Sequence, residues 1–72
     1  MSDEVFLELV HAAAERDLTA PLVSVMSICR EMEMSYGTCN KDLVEAMIER
    51  LDGAGTLKAD YLDGLLLGVR RV

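Results

Sequence analysis

Between Asn40 and Gly55 the sequence NKDLVEAMIERLDGAG repeats its apolar side chains at one spacing only. Leu43, Val44, Met47, Ile48, Leu51 and Ala54 recur at intervals of three and four, the period of an α-helix with one buried face. Asn40 supplies a side-chain acceptor for the free amides of the first turn, and Gly53 and Gly55 mark where the helix stops. The outward side is as regular as the inward one. Asp42, Glu45, Glu49 and Asp52 fall at steps of three, four and three, so four carboxylates share one stripe.

Two further helices precede it. Ser2 or Asp3 caps a first helix expected from Asp3 to about Arg16, burying Val5, Phe6, Leu9, Val10 and Ala13 and exposing Glu4, Glu8, His11 and Glu15. Thr19, Ala20 and Pro21 form a second start signal, because a hydroxyl caps free amides and proline is tolerated in the first turn. Leu22, Val25, Met26, Cys29 and Met32 then make one stripe, and Gly37 closes the helix in a left-handed conformation. On this reading Leu7 lies opposite the buried face of the first helix, while Val23 and Ile28 flank that of the second. These three are candidates for a homodimer or partner interface.

The final stretch, TLKADYLDGLLLGVRRV, admits two structures. Asp63-Gly64 between apolar runs signals a two-residue β-hairpin, since both central positions of a type I′ turn need positive φ. Tyr61, Leu62, Leu65, Leu66, Val69 and Val72 also fit a fourth helix, at a cost of roughly 2 kcal/mol for Gly64 and Gly68 in its interior. The hairpin is the preferred reading. The expected fold is therefore mainly α with a small β-hairpin, and a four-helix all-α domain is the alternative.

A 72-residue chain supports one domain with one core over residues 1–72, and its stability leans toward self-association. An apolar share of 51% exceeds that of disordered chains and predicts a folded one. The formal charge is −6, which opposes contact with anionic membranes and nucleic acid. It is unevenly spread: seven acids face two bases from Met1 to Tyr36, and six face five from Gly37 to Val72. With Asp3 and Glu4 where a secretory leader would be basic, and no apolar run of membrane-spanning length, the expected location is cytoplasmic. Cys29 and Cys39 lack CxxC spacing and are expected as reduced thiols.

Catalytic constellations are missing from the sequence. His11 is the single histidine and sits on a predicted outer face, Cys29 belongs to a core stripe, and Cys39 has no neighbouring histidine to activate it. Two cysteines and one histidine fall short of a zinc ligand set. GAG and GLLLG have neither nucleotide-binding spacing nor a following lysine. No catalytic residue, metal, cofactor or small-molecule substrate is expected. Met26, Met32 and Met47 read as core filler, and Met34 as partly exposed.

Three helices, the last ending in LDGAGTL, followed by a hairpin, resemble the winged helix-turn-helix superfamily. The resemblance rests on Val44, Ile48, Leu51 and Gly55 and is specific from Asp42 to Leu57; KADYLDGLLLGVRRV looks like the C-terminal wing. It implies DNA binding, with the third helix in the major groove and Asn40, Lys41, Arg50, Lys58, Arg70 and Arg71 as phosphate contacts. The chain departs from that pattern in two places. The turn between the second and third helices is lengthened through Met34 to Cys39, and the groove-facing positions are Lys41, Asp42, Glu45 and Glu49. Carboxylates there would be driven against phosphates. A protein partner or self-association is therefore favoured over DNA, with Asp42, Glu45, Glu49 and Asp52 as the candidate binding residues of a non-enzymatic adaptor or regulator. A third reading is an acidic inhibitor that imitates nucleic acid through Glu4, Glu8, Glu15, Asp17, Glu31 and Glu33. For the four carboxylates of the third helix the alternative is a plain solvated face that keeps an apolar protein soluble.

Overall fold

The computed structural model of the chain describes residues 1–70. In chain order it runs α1 (Asp3–Arg16), β1 (Leu22–Ser24), α2 (Val25–Tyr36), α3 (Lys41–Gly53), β2 (Ala59–Leu62) and β3 (Leu65–Arg70). Three helices carry a small antiparallel sheet with strand order β1-β3-β2. The fold class expected from sequence is the one observed, and the four-helix alternative is excluded by the β2–β3 hairpin.

Local signals set most boundaries. Ser2 Oγ accepts the Val5 amide at 3.2 Å and Asn40 Oδ1 accepts the Leu43 amide at 3.1 Å, so α1 and α3 begin where their capping residues stand. Helix α3 ends in a Schellman turn. The Thr56 amide donates to the Leu51 carbonyl and the Gly55 amide to that of Asp52, with Gly55 at φ 79°. In the hairpin Asp63 at φ 51° and Gly64 at φ 79° supply the two positive angles of a type I′ turn.

The start of the second helix differs from the sequence reading. Thr19 and Pro21 do not open it; Ser24 does, accepting the Ser27 amide at 3.1 Å. Leu22–Ser24 instead pairs with β3 through Leu22↔Arg70, Val23↔Val69 and Ser24↔Gly68. A later start rotates the buried stripe. Met26, expected inside, is 66% exposed, Leu22 is half-buried, and the fully buried position passes to Ile28. Val23 and Ile28 therefore belong to the core and are not interface candidates. Leu7 is half-buried against that core, Ala54 is exposed rather than inward, and Cys39 tucks against the core from its loop.

One core is shared by all three helices and the sheet. Phe6 and Leu9 from α1, Ile28 and Met32 from α2, Val44, Ile48 and Leu51 from α3, and Val23 and Val69 from the strands are buried together. A β-bulge lets the wing join it. Asp60 pairs with Gly68 but Tyr61 pairs with Leu66, leaving Leu67 as the extra residue. Strict alternation would send Leu65 and Leu67 inward with Val69. The bulge turns Leu66 in to pack on the core and leaves Leu65 and Leu67 exposed. Strands β1 and β3 approach so closely that a Cβ on Gly68 would lie 2.1 Å from the Val23 carbonyl oxygen and 2.8 Å from Ser24 Cα.

Candidate interaction surface

Helix α3 buries Val44, Met47, Ile48 and Leu51. At about 100° per residue this places Glu45 and Asp52 on one border of the buried face and Asp42 and Glu49 further out on the same flank. Their burial follows that geometry: Glu45 and Asp52 are intermediate, while Asp42 and Glu49 are exposed. The stripe is thus a real flank of the helix. Its four members do different things. Asp52 Oδ1 accepts the Ala59 amide at 3.2 Å and so ties α3 to the first residue of β2. Glu45 lies 3.7 Å from Lys41 Nζ one turn earlier. Asp42 and Glu49 remain the outward carboxylates.

The wing extends this flank. Tyr61, the third residue of β2, has its hydroxyl pKa raised above the ordinary 10.0 by desolvation and by the negative charges of Glu49 and Asp52. The hydroxyl therefore sits in the field of the α3 carboxylates while its ring stays partly open to solvent. Beyond it Leu62 and Leu65 face each other across the hairpin tip at 61% and 71% exposure. Sequence reasoning did not single out this leucine pair. The signal was present, because the residues that flank a two-residue turn must oppose each other at the tip, beyond the reach of the core.

The cations proposed as phosphate contacts are differently disposed. Asn40 is occupied as the α3 cap. Lys41 faces Glu45, Arg50 pairs with Asp3 at the start of α1, and Arg70 lies 3.8 Å from Asp60 on the neighbouring strand. The hydrogen bond from Arg50 and its charge hold the Asp3 carboxyl below its ordinary value, and Asp3 in turn raises the Arg50 guanidinium. Lys58 is exposed at the foot of the wing, and its carbonyl accepts the Arg70 amide at 2.8 Å. Arg71 lies outside the described residues.

Elsewhere the acidic surface is smaller than the residue count suggests. Glu31 is only 4% exposed and is held by the Arg16 guanidinium, so it is a buried ion-pair member and no surface anion. His11 Nε2 lies 3.0 Å from Glu15 Oε1 on the exposed side of α1. The Cys29 thiol is pushed up to about 11, first by burial and then by a hydrogen bond to the Cys39 sulfur, which only the protonated thiol can donate. Among the described residues no group of three or more His, Cys, Asp or Glu side chains is placed to hold a metal ion. No described helix is long and apolar enough to cross a membrane. Compared with protein-family models, curated proteins and solved structures, the chain has no match.

Proposed function

We propose that this chain is a winged-helix-like adaptor or regulatory domain that works by protein–protein contact and performs no chemistry of its own. The contact surface is the acidic flank of α3, represented by Asp42, Glu45 and Glu49, continued by Tyr61 and the leucine pair of the wing tip. The supporting observation is the state of the cations. Of the described candidate cations Lys41, Arg50 and Arg70 each lie against a carboxylate of the same chain, with Lys58 the exception, whereas Asp42 and Glu49 point outward. Binding a phosphate backbone releases counterions only where free cations replace them. An exposed leucine pair beside carboxylates suits a protein surface that offers lysine or arginine around an apolar contact.

The element order and the buried side of α3, with Val44, Ile48 and Leu51, support the superfamily resemblance, whose default function conflicts with the charges the helix carries outward. Fold alone does not decide between them. A DNA-binding mode requires Lys41, Arg50 and Arg70 to leave their carboxylates, and it sets Glu49 against the duplex.

Affinity capture from native extract, with and without nuclease, tests the proposal. Wild-type protein is expected to retain the same proteins after nuclease treatment, and Glu45→Lys with Glu49→Lys is expected to lose them while its thermal melt stays unchanged. Undiminished capture by that folded double variant refutes the role of the flank. Duplex binding at low ionic strength that weakens steeply with salt, and less steeply in Arg70→Ala, establishes the DNA mode instead.

A further inference from the structure

We propose that the groove between α1 and the sheet is a second docking site, whose occupant is an amphipathic helix from a partner protein bearing lysine or arginine along one border of its apolar seam. The groove is open, holds about 420 Å³, and is walled by Leu7, Val10 and Ala14 of α1 on one side and Leu57 and Val69 on the other. Leu18 closes one end and is 75% exposed, an extent of apolar surface that a small domain gains by covering. The α1 wall runs from Leu7 to Ala14, about 10 Å of rise, so about two turns of a partner helix would lie against it.

The charges choose the occupant. Along its outer border α1 carries Glu4, Glu8 and Glu15, the last 3.0 Å from His11 Nε2, around a shallow depression that adjoins the groove through Leu7 and His11. On the opposite wall Arg70 is already engaged by Asp60. A helix with apolar residues at i, i+3, i+4 and i+7 and cations on one edge satisfies both the seam and the glutamates. A second copy of this chain would set one glutamate row beside another, an arrangement of like charges that interfaces disfavour. No residue is shared with the α3 flank. Either surface can fail alone.

The test uses two synthetic, acetylated and amidated four-turn peptides with leucine at a and d. One carries lysine along one border of the seam and the other carries glutamate there. The lysine peptide is expected to bind saturably in fluorescence anisotropy, with amide chemical-shift changes confined to α1, Leu57 and Val69. Glu8→Lys with Glu15→Lys is expected to weaken it by about tenfold and to admit the glutamate peptide, since two attractive pairs become repulsive. Leu18→Ser, at a position whose exposure spares the fold, is expected to weaken the lysine peptide as well, because it removes apolar contact and adds no charge. Equal binding of both peptides, no binding of either, or shifts centred on Asp42 and Glu49 overturns the proposal. A dimer by sedimentation equilibrium that Leu18→Ser dissociates also overturns it, by assigning the groove to a second copy. The Glu45→Lys, Glu49→Lys variant is expected to bind the lysine peptide normally, which separates this site from the α3 reading.

Discussion

Replacing Gly68 by alanine adds one carbon where the backbones of β3 and β1 already touch. The new Cβ would stand 2.1 Å from the Val23 carbonyl oxygen and 2.8 Å from both Ser24 Cα and the Val23 carbonyl carbon. All three are backbone atoms, so no side chain can swing aside; β1 itself must retreat, and with it Val23, which is buried in the core. Overpacking of this kind costs about 1–3 kcal/mol, and displacement of a strand favours the upper end. The stiffer unfolded chain offsets about 0.4–1 kcal/mol of that. A net loss of about 2 kcal/mol is expected. For a domain of this size, with a total stability of about 4–11 kcal/mol, that lowers the melting temperature by about 8–16 °C. Gly53→Ala is the matched control, because nothing lies within 4 Å of its added Cβ and a helix position gains up to about 1 kcal/mol from alanine. Far-ultraviolet circular dichroism melts and urea titrations measure both. If Gly68→Ala melts with the wild type or above it, the close approach of β1 and β3 does not govern the stability of the sheet.

Four other tests check separate parts of the structure. Arg16→Ala strips the partner from the buried Glu31 carboxylate and is expected to cost about 2–3 kcal/mol in urea melts, below the usual range for fully buried pairs because Arg16 is largely exposed. Lys41→Ala, which breaks a more exposed pair, is expected to change stability by under about 0.5 kcal/mol. With the Cys29 thiol pushed up to about 11, thiol titration of folded protein at pH 8 is expected to label Cys39 first and Cys29 only on unfolding; equal rates contradict the buried hydrogen-bonded thiol. The Asp3 carboxyl is held below its ordinary value in the folded state by Arg50, so its contribution is complete above the unfolded-state pKa and is lost as pH falls through the folded-state one. Wild type is therefore expected to melt above Asp3→Asn at pH 6 and to converge with it in strong acid, and a gap that persists there contradicts the ion pair.

Elements whose causes are local were legible from the residues. Ser2 and Asn40 cap helices within three positions of themselves, Gly55 ends one within a turn, and Asp63-Gly64 closes a hairpin on its own neighbours. Strand β1 has no local cause. Three residues after Pro21 become a strand because β3 comes to pair with them, and the same letters read equally well as the first turn of a helix. The candidate surface divides in the same way. Helical spacing alone aligned Asp42, Glu45, Glu49 and Asp52, but it could not tell that Asp52 serves the Ala59 amide or that Arg50 is taken by Asp3. Those partners lie on other elements. Glu31 looked like a surface acid for the same reason, its arginine being on a different helix.

The sheet order β1-β3-β2 puts the last strand of the three to be synthesised in the middle. Among the described residues strand β1 pairs with β3 alone, 44 to 48 residues further on, and β2, though adjacent in sequence, is half of a hairpin that cannot exist before β3 arrives. During folding the helices can therefore condense early, while β1 stands as an unpaired apolar edge beside them. Arrival of β3 closes the sheet from its centre in one event. A chain ending before Leu65 is expected to hold a helical intermediate with an exposed edge, and the step that retires that hazard is the insertion of one six-residue strand.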